Sequence, residues 1–125
     1  MANYLDLLAR ILISLIFLLN GIFKISNYEG TVEWMEGFGL PGILIIPAII
    51  LEIVGPILII IGYRTKFVAA IMSLFCITTA VIFHNDFENQ MQLTSFLKNI
   101  ALAGGFLFLT INGAKKFSID NRIKK

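Results

Sequence analysis

Residues 43–61 read ILIIPAIILEIVGPILIII, an apolar run that contains a single charged side chain, Glu52. A run of this length predicts a helix that crosses a bilayer, because about 20 apolar residues span the hydrocarbon core. Glu52 then lies near the middle of the membrane, where an ionisable group is costly and usually has a partner or a function. Glu52 is therefore the candidate catalytic residue, as a carboxylate that holds or passes a proton.

Three further apolar stretches of helical length accompany this run. The chain has 125 residues, of which 58% are hydrophobic and 14% charged, and this composition is too apolar for a soluble domain of that size. The expected fold is all-α: one membrane domain, residues 1–125, built as a four-helix bundle in contact with the lipid bilayer and with no nucleic-acid partner. The predicted transmembrane helices cover residues 5–25, 43–61, 67–83 and 96–111.

The segment between the first two predicted spans indicates a short helix at the membrane surface. Its apolar residues alternate with Glu29, Glu33 and Glu36, which is typical of a helix that lies in the interface. Trp34 suits the headgroup region, so anchoring is the favoured interpretation of this residue, and contact with a ligand is the alternative.

Basic residues are distributed unevenly between the two sides of the predicted bundle. With four crossings, eight of the ten Lys and Arg residues fall on the side of the termini, and only Lys24 and Lys98 fall on the other. The excess of positive charge predicts that both termini are cytoplasmic. The basic tail, residues 113–125, is then expected to lie against anionic headgroups.

The single cysteine and the single histidine limit the chemistry of the chain. Cys76 alone excludes an intrachain disulfide and dithiol exchange, and His84 alone excludes a haem held between two histidines of one chain. The sequence contains neither a zinc-type ligand cluster nor a nucleotide-binding glycine motif. It therefore predicts no metal site and no intrinsic cofactor.

Two interpretations compete for the charged residues inside the membrane. In the structural one, Arg10 and Glu52 form a buried pair that fixes the packing of the first two transmembrane helices. In the functional one, Glu52 handles a proton while polar side chains hold the headgroup of a lipid-soluble ligand such as a quinone. Lys24 has a further interpretation, in which its side chain snorkels to the interface. The predicted ligand-binding residues are Arg10, Asn20, Lys24, His84, Lys98 and Asn99.

Small or polar residues recur at helical spacing and predict the faces along which the helices pack. These faces are Arg10, Ser14, Phe17, Gly21 and Lys24 on the first helix; Ala48, Glu52, Gly55, Ile59 and Gly62 on the second; Ala69, Ser73, Cys76 and Ala80 on the third; and Ala101 with Gly105 on the fourth.

A series of short fragments extends from about residue 7 to residue 120. The fragments are Leu8-Ala9-Arg10, Asn20-Gly21 with Lys24, Gly39-Leu40-Pro41, Leu51-Glu52 with Gly55, Gly62 and Thr65, Phe83-His84, Lys98-Asn99, Gly104-Gly105 and Phe117-Ser118-Ile119-Asp120. In this order and spacing the chain resembles the DoxX family of small bacterial membrane proteins. The resemblance implies a multi-pass protein of the bacterial inner membrane with four helices.

The resemblance also implies two classes of function. Family members are linked to a quinone-reducing thiosulfate oxidoreductase and to a membrane-associated oxidoreductase complex of redox defence, so the first hypothesis is a subunit of a redox assembly with a bound quinone or a soluble redox partner. Similar eukaryotic proteins look like cargo receptors or assembly chaperones, so the alternative is a non-catalytic scaffold. A third hypothesis is a small-solute carrier built as a homo-oligomer. Whether the chain is itself catalytic stays open.

Overall fold

The computed structural model describes residues 1–123, and over that range it contains helices and turns but no strand. Four helices are long and apolar enough to cross a membrane, which confirms the predicted all-α bundle of four transmembrane helices. The helices are α1 (Ala2–Ser26), α2 (Tyr28–Glu36), α3 (Ile45–Ile61) with a 3₁₀ turn before it (Gly42–Leu44), α4 (Thr65–Phe83), α5 (Gln90–Asn112) and α6 (Ile119–Ile123).

The start of α5 differs from the sequence-based prediction. The helix begins at Gln90 and not at residue 96, because Asn89 caps it: the Asn89 side chain accepts hydrogen bonds from the backbone N–H groups of Met91 (3.0 Å) and Gln92 (3.3 Å). A cap satisfies N–H groups that the first turn leaves free. The prediction followed the apolar run, and the extra turns before that run are polar.

The transmembrane helices pack as two pairs, α1 with α3 and α4 with α5, and a short turn joins α3 to α4. The predicted packing face of the third transmembrane helix is confirmed, since all four of its residues are buried. On the first helix the predicted face is buried from Arg10 to Gly21, and Lys24 at its end is partly buried. Ser73 on α4 also donates a hydrogen bond to the carbonyl oxygen of Ala103 on α5 (3.0 Å). Helices α1 and α3 approach closely at Gly21, where an added Cβ would lie 2.7 Å from Cγ1 of Ile53.

The predicted packing pair on α5 is wrong as a pair. Ala101 is exposed, and the buried face of α5 is formed by Asn99, Ala103 and Phe106. Gly105 does pack closely, but against Ile13 of α1 in the same chain, where an added Cβ would lie 2.7 Å from the Ile13 side chain. A larger residue at position 105 would therefore disturb the fold itself and would not report on a partner protein.

The bundle has two different ends. We call the end with the chain termini and the α3–α4 turn the terminal end, and the end covered by α2 the α2 end. At the α2 end, Met35 of α2 packs with Ile45 of α3 and Phe83 of α4 in a small buried cluster. The larger apolar core, which includes Phe17, Met72 and Phe106, fills the rest of the bundle.

Candidate functional site

A cavity of about 260 Å³ lies between the transmembrane helices at the α2 end. Trp34 and Met35 of α2 and Leu40 of the following loop form its cover. Apolar and polar residues contribute to its wall in nearly equal number. The apolar residues are Phe17, Trp34, Met35, Leu40, Leu44, Ala48, Phe75, Ile82 and Phe83, and the polar residues are Asn20, Lys24, Glu52, Thr78, Thr79, His84, Lys98 and Asn99.

Six of the seven predicted site residues line this one cavity. They come from all four transmembrane helices: Asn20 and Lys24 from α1, Glu52 from α3, His84 from the end of α4, and Lys98 with Asn99 from α5. The structure does not bring the seventh residue, Arg10, to the cavity.

Glu52 is paired with Lys24. The Lys24 Nζ lies 2.9 Å from Oε1 and 2.7 Å from Oε2 of Glu52, whose side chain is only 4% exposed. The predicted pair of Arg10 and Glu52 is therefore wrong, and so is the interpretation that Lys24 snorkels outward. The reason is the close approach at Gly21, which brings α1 against α3 beside Glu52. Lys24 is about one turn from Gly21, whereas Arg10 is about 16 Å from Gly21 along α1.

The second carboxylate oxygen of Glu52 has an unused hydrogen-bonding capacity. Oε2 is close to the Lys24 ammonium, but the angles suit a hydrogen bond only to Oε1, and within residues 1–123 the buried Oε2 accepts none. Buried oxygens usually have a hydrogen-bond partner. Glu52 thus has one buried carboxylate oxygen whose close polar neighbour in the described chain is the Lys24 ammonium, and its side chain forms part of the cavity wall.

Two further polar residues are oriented by neighbours on α5. His84 Nδ1 lies 3.0 Å from the Gln92 side-chain oxygen, and because an amide oxygen can only accept, Nδ1 is the donor and Nε2 is left available. Asn99 donates through Nδ2 to the backbone oxygen of Ser95 (3.1 Å), which leaves its own amide oxygen available. Gln92 is not among the predicted site residues, although Gln92, Ser95 and Asn99 follow a helical spacing that indicates a polar face.

An open cleft between α1 and α2 adjoins the cavity. Asn20, Lys24 and Trp34 line both. Trp34 stacks on Phe83 with a centroid distance of 4.4 Å, and its indole therefore stands between the cleft and the cavity. The alternative interpretation of Trp34, contact with a ligand, is compatible with this position.

Arg10 instead connects three segments at the terminal end. The fully buried guanidinium donates to Asp6 Oδ2 (3.0 Å), to the backbone oxygens of Ile59 (3.1 Å) and Ile60 (2.7 Å), and to the backbone oxygen of Phe117 (2.6 Å). The last carbonyl groups of a helix have no partner within it. Arg10 satisfies two of them at the end of α3 and ties the C-terminal segment to the bundle.

Asp120 completes this connection. Its carboxylate accepts hydrogen bonds from the backbone N–H groups of Arg64 and Thr65 (2.7 Å each) at the start of α4, and its own N–H donates to the Gly62 oxygen (2.8 Å). Partial burial disfavours the ionised carboxylate, but the hydrogen bonds from Thr65 and Arg64 outweigh that effect. The pKa of Asp120 is therefore lower than its ordinary value.

Fold and site together define a multi-pass membrane protein with a partly polar cavity at one end of a four-helix bundle. The DoxX family profile matches residues 5–85, and the chain belongs to the DoxX family. Similar proteins include the inner membrane protein YqjF of Escherichia coli (strain K12), 38% identical over 95% of this chain and 92% of the relative, and the inner membrane protein YphA of the same organism, 34% identical over 93% and 88%.

A more distant relative is "Putative oxidoreductase CatD" of Bacillus subtilis (strain 168), 26% identical over 78% of each chain. No solved structure matches the chain. The inner-membrane relatives and the four apolar helices identify a multi-pass inner-membrane protein.

Proposed function

We propose that this protein is a membrane subunit of a redox assembly and that its cavity holds the headgroup of a quinone or of a similar lipid-soluble ligand. The observation that carries the proposal is the Lys24–Glu52 pair, buried in an aromatic-lined cavity with one carboxylate oxygen left without a hydrogen bond. Intramembrane carboxylates of this kind are typical of proton relays. The name of the relative CatD supports a redox class.

The residues of the cavity fit a quinone headgroup. The volume of about 260 Å³ is near the lower end of ligand sites, which span roughly 300–1,000 Å³, and so suits a ring more than a whole lipid. The isoprenoid tail would leave through the cleft between α1 and α2. Carbonyl oxygens of the ring need donors, and the ammonium groups of Lys24 and Lys98 supply them.

Each polar residue has a distinct task in this proposal. A quinone, when bound, supplies redox chemistry that couples electrons to protons. Glu52 is the group that accepts and releases a proton, and the ion pair with Lys24 fixes the position of its carboxylate in the cavity wall. Helix α2 excludes water through Trp34 and Met35. Electrons come from a redox partner protein that approaches from the α2 end, because α5 ends at Asn112 on the opposite side of the bundle from the cavity.

Trp34 is the only tryptophan of the chain and lies in the cavity wall, so its fluorescence tests the proposal directly. We expect a short-tailed quinone, titrated into the protein in lipid nanodiscs, to quench Trp34 in a saturable manner. Glu52→Gln should weaken the binding of the corresponding quinol about tenfold or more, because the quinol hydroxyl can donate to the Glu52 carboxylate and a hydrogen bond to a charged group contributes roughly 1.5–3 kcal/mol. The variant should still insert and fold.

Glu88→Gln is the matched control, because it makes the same change in the exposed loop outside the cavity, and its affinity should equal that of the unmodified protein. Trp34→Phe gives the background signal. Quenching that rises without saturation in the unmodified protein would refute the ligand site. Equal affinity for the quinol in Glu52→Gln and the control would refute the role of Glu52.

A further inference from the structure

The cavity wall contains more positive than negative charge. Its lining contains two lysines, Lys24 and Lys98, and one carboxylic acid, Glu52. The Lys24 ammonium is offset by the Glu52 carboxylate at 2.7–2.9 Å. In the part of the chain that the structure describes, Lys98 has no carboxylate within 4.0 Å and no hydrogen bond from its ammonium.

Lys98 belongs to a different helix from the two residues of the ion pair. The pair joins α1 to α3, whereas Lys98 belongs to α5, which packs along α4. Its neighbours on that side of the cavity are Asn99 and His84, and neither of these side chains carries a negative charge. The Lys98 side chain is exposed and reaches the cavity from its rim. A ligand that enters the cavity therefore meets a lysine that forms no ion pair within the described part of the chain.

We propose that the ligand carries a negative charge on or beside its ring, as a hydroxy-substituted quinone or a deprotonated quinol does, and that Lys98 selects this charge. The inference rests on the proposed function and specifies the ligand class of the same site. A neutral carbonyl would take one hydrogen bond from Lys98, while an anionic oxygen gains the Coulomb attraction as well, which is strong near low-dielectric walls. Specificity then arises as the difference between these two affinities.

Two probes of nearly equal size but different charge distinguish an effect of ligand charge on binding from an effect of ligand shape. 2-Hydroxy-1,4-naphthoquinone is an anion at neutral pH, and 2-methyl-1,4-naphthoquinone is neutral. Trp34 quenching in nanodiscs gives a dissociation constant for each. Because the two probes partition differently into lipid, the quantity to compare is the ratio of the two constants between variants, measured in the same nanodiscs.

In the unmodified protein we expect the anionic probe to bind about tenfold more tightly. In Lys98→Gln the ratio should shift about tenfold toward the neutral probe relative to the unmodified protein, and Lys98→Arg should restore it. Lys66→Gln, an exposed lysine at the terminal end outside the cavity, is the matched control and should keep the full preference.

The outcomes distinguish the inference from the proposed function. Saturable binding of both probes with no preference for the anion would overturn the inference and leave the quinone site standing. A preference that persists in Lys98→Gln would overturn the assignment to Lys98. Absence of saturable binding of either probe would overturn the proposed function and the inference with it.

Discussion

The two ends of the bundle each bury a basic side chain of α1, but they differ in how completely it is partnered. At the terminal end, Arg10 donates to one carboxylate and three backbone carbonyl groups. At the α2 end, Lys24 donates one hydrogen bond to Glu52, and the other carboxylate oxygen has none within the described chain. Saturated hydrogen bonding is what a structural connection requires. The incomplete set beside a cavity is what a binding site requires, so burial of charge alone does not distinguish the two roles.

The largest effect is expected from Arg10→Met. The substitution keeps an apolar chain of similar length but leaves Asp6 and three carbonyl groups without their donor. Breaking a buried charge pair costs about 3–5 kcal/mol, so we expect a loss of unfolding free energy of that order and poor accumulation in the membrane. The measurement is unfolding in detergent by circular dichroism. Arg64→Met, at an exposed arginine of the same end, is the control, and an equal loss in both variants would contradict the structural role of Arg10.

A smaller effect is expected from Asp120→Asn, because it weakens the acceptor of two N–H groups at the start of α4. Loss of a helix cap costs about 1 kcal/mol. The effect should depend on pH. Since the pKa of Asp120 in the folded protein lies below the ordinary value of 3.8, its stabilising contribution is fully present above that value and disappears as the pH falls through the lowered pKa.

Thermal unfolding midpoints measured between neutral and acidic pH test this dependence. The difference in thermal unfolding midpoint between the unmodified protein and Asp120→Asn should be constant above the ordinary pKa of the carboxylate and should disappear below it. Asp86→Asn, in the exposed loop at the other end of the bundle, should show no comparable gap. A gap that widens toward acidic pH would contradict the assigned sign.

The smallest effect on stability is expected from the double variant Lys24→Met with Glu52→Leu. Replacing both members of a buried pair by apolar residues is often neutral or stabilising, so the change in unfolding free energy should stay within about 1 kcal/mol. Lys24→Met alone should cost more, since it leaves the Glu52 carboxylate without its counter-ion. A double variant as unstable as Arg10→Met would show that both ends are structural and would remove the contrast between them.

Much of the fold could be predicted from the sequence. The apolar run around Glu52 and its three counterparts indicate the number of helices, because the membrane requires about 20 apolar residues per crossing. The buried faces that begin at Arg10 on α1 and at Ala69 on α4 followed from helical spacing alone. The grouping of Asn20, Lys24, His84, Lys98 and Asn99 followed from the topology, which assigns these residues to the same half of the bundle.

Three features could not be predicted in this way. The partner of Glu52 depended on which residue of α1 lies beside α3. Because the helices approach closely at Gly21, Lys24 is near enough to pair with Glu52 and Arg10 is not. The start of α5 depended on the Asn89 cap, which is a local hydrogen bond without an apolar signature. The structural role of the segment around Phe117 and Asp120 depended on hydrogen bonds with residues that are distant in sequence, namely Arg10 and Arg64.

The sequence by itself therefore determined a four-helix membrane protein and the set of polar residues at one end, because hydropathy and helical period act over short stretches of chain. Only the tertiary structure decided which charges are paired and which oxygen of Glu52 is left without a hydrogen bond. It also decided that Arg10 connects α3 and the C-terminal segment at the terminal end. Those outcomes depend on distances of a few ångströms between helices, and such distances are set by the packing of small residues across the interface.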